Sequence, residues 1–96
     1  MFGNKGMMRQ MQSQMAKIQE ALAKETVEGS AGGGVVAVVM TGEQKVQSVK
    51  ISPEAIDPED VGMLEDLVLT AVNDALVKSQ ELVAKRLGSL KIPGMF

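Results

Sequence analysis

Apolar residues near the start of the chain recur at alternating steps of three and four: Met8, Met11, Met15, Ile18 and Leu22. At roughly 100° per residue these positions fall on one stripe of a helix. No Gly or Pro interrupts Met7 to Lys24, and the Gln, Ala, Lys and Met between them are good helix formers. The pattern therefore predicts a helix over 7–24 whose stripe faces a core or a coiled-coil seam. Methionine is an adaptable packer, so such a seam tolerates imperfect complementarity.

The period then changes. Thr26-Val27-Glu28 reads as a short edge strand, and Gly29-Ser30-Ala31-Gly32-Gly33-Gly34 as a flexible connector. These glycines do not make a phosphate loop, because no Gly-Lys-Ser/Thr ending or helix follows them. Val35 to Thr41 is rich in β-branched residues and apolar on both faces, which predicts a strand covered on both sides or lying at an interface. Thr41-Gly42-Glu43-Gln44 is a hairpin signal. Gln44 to Ile51 follows as a third strand, with Val49 and Ile51 on one face and Val46 on the other.

Ser52-Pro53-Glu54 predicts a cap and a single helical turn. Asp57-Pro58-Glu59-Asp60 repeats the signal and opens a long helix, its acids set in the first turn against the positive dipole end. Their spacing does not match a calcium loop. The helix runs from Val61 to about Leu87 and stops at Gly88. Its first half carries a broad apolar face, Leu64, Leu67, Val68, Leu69, Ala71, Val72, Ala75 and Leu76. Such a face can cover a sheet and also meet a partner. Leu76, Val83 and Leu87 line up to pack against the first helix. The expected architecture is α+β: helix, three-stranded antiparallel meander, helix, with both helices on one face. One domain spans 1–96, with flexible ends at 1–6 and 89–96.

A domain of 96 residues buries only about 60–65% of its unfolded surface, which mildly favours association with a second copy. Cysteine and histidine are absent and aromatics are limited to two Phe. Disulfides and thiolate or imidazole metal sites are excluded, and no cofactor is expected. Without His, the serines lack the usual base, so an enzyme is not expected. No run approaches the ~20 apolar residues of a membrane span, and the first residues hold no signal-peptide core. The expectation is a cytoplasmic protein with no membrane partner and no small-molecule substrate.

The net charge of −2 argues against a nucleic-acid partner until its distribution is considered. Residues 1–24 carry four basic residues against one acid, residues 25–73 two against nine, and residues 74–96 four against two. The ends are basic and the middle is acidic. On the first helix Lys5, Arg9, Lys17 and Lys24 lie within roughly 120° of one another, opposite the Met stripe. On the last helix Lys78 and Lys85 are seven apart and nearly aligned, whereas Arg86 turns toward the apolar side. Such faces can track a phosphate backbone, or they can simply be solvated. The lack of aromatics disfavours single strands bound by stacking, leaving duplex DNA.

Several segments, in order, carry a resemblance. They are Met1-Phe2-Gly3, the run Met8 to Met15, Gly32-Gly33-Gly34-Val35-Val36, and Val49-Lys50-Ile51-Ser52-Pro53. Met63-Leu64-Glu65-Asp66-Leu67-Val68, Ala71-Val72-Asn73-Asp74-Ala75 and Pro93-Gly94-Met95-Phe96 complete it. Over nearly its whole length the chain resembles the YbaB/EbfC family of bacterial nucleoid-associated proteins. Thr41-Gly42 and Ile51-Ser52-Pro53 depart from the family's usual Asn-Gly and Ile-Asp-Pro.

The resemblance implies an α-β-β-β-α fold, a homodimer joined through the sheet and the adjacent part of the last helix, and paired helices projecting as arms that bind duplex DNA at the nucleoid. On this chain it assigns DNA contacts to Lys5, Arg9, Lys17, Lys24, Lys78, Lys85 and Arg86. It assigns the dimer surface to Val36, Val38, Leu64, Leu67, Val68 and Ala71. Asn73 and Asp74 are expected to hydrogen-bond backbone near that surface. A second reading makes the chain a protein-interaction module that uses the Met seam and the C-terminal tail.

Overall fold

The computed structural model describes residues 2–88, with side chains described from residue 6 onward. Helix α1 (Phe2–Lys24) leads into strands β1 (Thr26–Ala31), β2 (Val36–Thr41) and β3 (Val46–Ile51). A 3-10 turn (Pro53–Ala55) then precedes helix α2 (Val61–Gly88). The strands form one antiparallel sheet in the order β1-β2-β3. The expected element order and meander therefore hold. The helix was expected to begin at Met7, after a flexible start, but it begins at Phe2. Glycine in a helix costs only about 1 kcal/mol against Ala, so Gly3 and Gly6 do not stop it. The flexible tail expected at 89–96 lies outside the described residues.

α2 lies across one face of β1 and β2. Val36, Val38 and Met40 alternate inward from β2 and, with Ala31 of β1, meet Ala71 and Ala75 of α2. The closest approach is at Gly29, where an added Cβ would sit 2.2 Å from the Ala75 backbone N and 2.4 Å from the Ala71 backbone O. This corrects the reading of residues 29–31 as connector. They are strand, and Gly29 is there because helix backbone occupies the space of a side chain. The connector proper is Gly32, Gly33 and Gly34, all at positive φ, which glycine adopts without strain.

β3 differs from the other two strands, because α2 packs on β1 and β2 and all six residues of β3 are exposed. Its register shifts beside Val39 and Met40: Val39 pairs with Ser48, but Met40 pairs with Val46. The extra residue, Gln47, bulges. The bulge turns Val46 to the same face as Val49 and Ile51, correcting the expected split across two faces.

The helix boundaries also bear on charge. No acid lies in the first turn of α2. Asp60 sits just before it and accepts from the Met63 N–H at 3.1 Å, while Asp57 accepts from the Glu59 N–H at 2.9 Å. The four acid-rich residues are thus a turn and a cap rather than a first helical turn.

α1 does not lie on the sheet as expected. It touches β2 and α2 only near its C-terminal end, where Leu22 is buried against Gly42. The molecule measures 69 × 22 × 16 Å, with a radius of gyration of 19.0 Å, against about 13 Å for a compact domain of this size. α1 is an arm. The line Leu76, Val83, Leu87 is split accordingly: Leu76 packs on the sheet core, Val83 is half-buried and Leu87 is exposed.

Candidate nucleic-acid interface

The arm has two unlike sides. Along the apolar stripe, cover increases toward the sheet: Met8 is 60% exposed, Met11 42%, Met15 38% and Leu22 7%. Opposite that stripe stand Arg9 and Lys17, both exposed and without an ion-pair partner among the described residues. Lys85, on the last turns of α2, is exposed and likewise unpaired there. It borders a pocket of about 270 Å³ with Glu25, Leu82 and Arg86.

The other basic residues assigned to DNA are occupied, or outside the described side chains. Lys24 pairs with Glu20 at 3.3 Å, an exposed pair one helical turn apart. Such a pair contributes little and can be exchanged for a phosphate. Arg86 donates from Nε to Glu25 at 2.9 Å and pairs with it a second time through Nη2. This bidentate clamp locks the end of α1 to α2. Lys5 lies in α1, but its side chain is outside the description.

Lys78 has a structural task. Its Nζ donates to the Glu28 carbonyl at 2.9 Å and pairs with Asp74 at 3.2 Å. Asp74 in turn accepts from the Ser30 N–H at 3.0 Å. Together they satisfy an outward N–H and an outward C=O of β1, the sheet's free edge on that side. The Ser30 N–H, and after it the Lys78 ammonium, hold the Asp74 carboxyl below its ordinary value, while burial opposes the shift. Asp74 does hydrogen-bond backbone, and it does so at the β1 edge. The exposed Asn73 side chain makes no hydrogen bond among the described residues. The four-residue spacing of Asp74 and Lys78 was visible in the sequence as a helix pair, but the strand they clamp was not.

The residues assigned to a partner surface divide similarly. Val36, Val38 and Ala71 are wholly buried inside the single chain, so their side chains are unavailable to a partner while this fold persists. Leu64, Leu67 and Val68 are half-buried around the same core. The apolar surface left open on the sheet is Val46, Val49 and Ile51 of β3. Sequence parity hid it, because the bulge is what gathers these three.

The fold is a small α-β-β-β-α sheet domain that carries a basic helical arm. The YbaB/EbfC DNA-binding family matches residues 1–95, and the chain belongs to that family. It is 57% identical to a nucleoid-associated protein of Desulforamulus reducens, over 95% of this chain and 97% of that one. It is 53% identical to a nucleoid-associated protein of Syntrophobacter fumaroxidans, over 90% and 86% of the two chains. An uncharacterized protein of Helicobacter pylori, solved by crystallography, shares the fold with a TM-score of 0.75 at 21% identity, over 88% of this chain and 87% of that one. Among the described residues no helix is long and apolar enough to cross a membrane.

Proposed function

We propose that the chain is a nucleoid-associated protein that binds duplex DNA as a homodimer, through phosphate contacts from its helical arms. The observation that carries this reading is the pair Arg9 and Lys17, free cations on the outer side of a projecting helix. They are seconded by Lys85 where the arm meets α2. Membership of a DNA-binding family supplies the class of partner. The side chains offered are long cations rather than rings or paired amides, so they read backbone more than bases.

The second copy docks on β3. Its Val46, Val49 and Ile51 are exposed and α2 leaves them uncovered. Its outer edge is open for strand pairing, whereas Asp74 and Lys78 occupy the β1 edge. The pairing holds two arms in one rigid body, which multiplies the affinity of each. The acidic middle of the chain keeps the sheet body away from phosphate, so DNA meets the arms.

Fluorescence anisotropy of a labelled duplex, titrated at several salt concentrations, tests the reading. Affinity should fall steeply with salt, with a slope of about −0.9 per phosphate contact. Lys17→Glu combined with Lys85→Glu should flatten that slope and weaken binding on every sequence alike. Parental affinity in the double variant would overturn the arm assignment.

A further inference from the structure

The apolar seam of the arm has no occupant in the DNA reading. Met8, Met11, Gln12, Met15, Ala16 and Gln19 line a groove of about 410 Å³ along it. Met8, Met11 and Met15 are exposed, Ile18 is half-buried, and Leu22, at the foot, is buried against the chain's own Gly42. The steps of three and four from Met8 to Leu22 repeat every seven residues, the spacing by which one helix packs along another.

In a coiled coil the charges beside the seam select the partner. Here Gln12 and Gln19 stand on one flank and Gln14 and Ala21 on the other, all uncharged. Arg9 and Lys17 are exposed and lie about 140° around the helix from the seam. A strongly acidic or basic helix would find no countercharge there. A copy of the same helix brings apolar side chains to apolar ones, and amides, which both donate and accept, to amides. It also keeps the cations of both arms on outer sides. The spacing is self-complementary when the copy runs in the opposite direction. Met8 of one copy then faces Ile18 of the other, and Met11 faces Met15, in a single register about a twofold axis level with Ser13. The sheet body at the foot of each arm favours this direction, because a parallel pair would crowd both bodies at one end.

We propose that two copies of the chain associate through their Met seams as a short antiparallel coiled coil, a contact separate from β3. Flexible thioether side chains adapt to one another across such a seam. The paired stretch, Met8 to Ile18, is about three turns long. It is smaller than the ~1,200 Å² of a stable interface, so arms held close together pair well and dilute chains pair transiently. Where the arms also hold DNA, the seam joins one DNA-bound unit to another. That consequence rests on the DNA reading, whereas the pairing does not.

Because the chain has no cysteine, introduced thiols report without background. In the full-length protein at high concentration and without DNA, Met8→Cys chains mixed with Ile18→Cys chains should form a disulfide under mild oxidation. The product should run at twice the single-chain mass of 10.2 kDa. Either variant alone should give roughly tenfold less, because each position lies about 15 Å from itself across the antiparallel pair. Ser13→Cys, on the outer side of the helix, should give as little. Equal product from one variant alone or from Ser13→Cys would overturn the antiparallel seam. No product in the mixture would overturn the pairing and leave the groove to a different occupant. As a second readout, Met11→Glu with Met15→Glu in both chains should cut the yield roughly tenfold by placing unpaired charge in the seam, with helix content by circular dichroism unchanged. An unchanged yield would also overturn the pairing.

Discussion

The layer where α2 crosses β1 and β2 and the arm formed by α1 are built on opposite terms. In the layer, backbone touches backbone at Gly29, the side chains are small or β-branched, and Ser79 is fully buried with its hydroxyl donating to the Thr41 carbonyl at 2.9 Å. In the arm, long Met side chains stand exposed and the basic residues are open to solvent. A close-packed interface tolerates little change in volume, whereas a helix in water tolerates almost any side chain that keeps it helical. Stability is concentrated in the first region, leaving the surface of the second for recognition.

The largest effect that separates the two regions should come from Gly29→Val. No rotamer relieves a clash with the α2 backbone, so α2 must lift, and urea unfolding should report a loss of about 3 kcal/mol or more. A substitution on the exposed arm, Gln12→Leu, should change stability by less than ~0.5 kcal/mol. Next in size, Val49→Asp should leave the layer folded but abolish self-association. Sedimentation should then give the single-chain mass, while circular dichroism remains that of the parent. Smaller again, Ser79→Ala removes one of two donors to the Thr41 carbonyl, which keeps the Gln44 N–H, and should cost about 0.5–1.5 kcal/mol in the same urea assay.

The smallest effect concerns Asp74. Its folded value is depressed, so its contribution to stability is present above the ordinary carboxylate range and is lost as pH falls through the lowered folded value. Asp74→Asn should therefore be less stable than the parent near neutral pH, and the gap should close in acid. Thermal melts of both proteins across pH 2–7 would measure it. A constant gap would mean that the carboxylate charge contributes nothing beyond shape.

Much of this was legible in the sequence, for reasons that differ by element. The two helices are readable because their periods are long and their boundaries are marked by Lys24-Glu25, Asp60 and Gly88. β2 is readable from its run of β-branched residues. The extension of β1 through Gly29 and Ser30 was not, because glycine is depleted in strands and the cause, the approach of α2, lies more than 40 residues away. The face of Val46 was hidden by one bulged residue. The basic residues could be named from sequence, but not which were free. Lys78 is held by Glu28 and Asp74, and Arg86 by Glu25, a partner 61 positions distant.

The clamp that Asp74 and Lys78 place on the outer edge of β1 also bears on valence. A sheet with two open edges is bivalent, and copies joined edge to edge can extend without limit into a fibre. With one edge closed by side chains of its own helix, each sheet has a single sticky side. In the proposed pair the two sticky sides face each other around a twofold axis and saturate. Growth through the sheet then ends at two copies, even at the high local concentrations reached by a protein crowded along a chromosome.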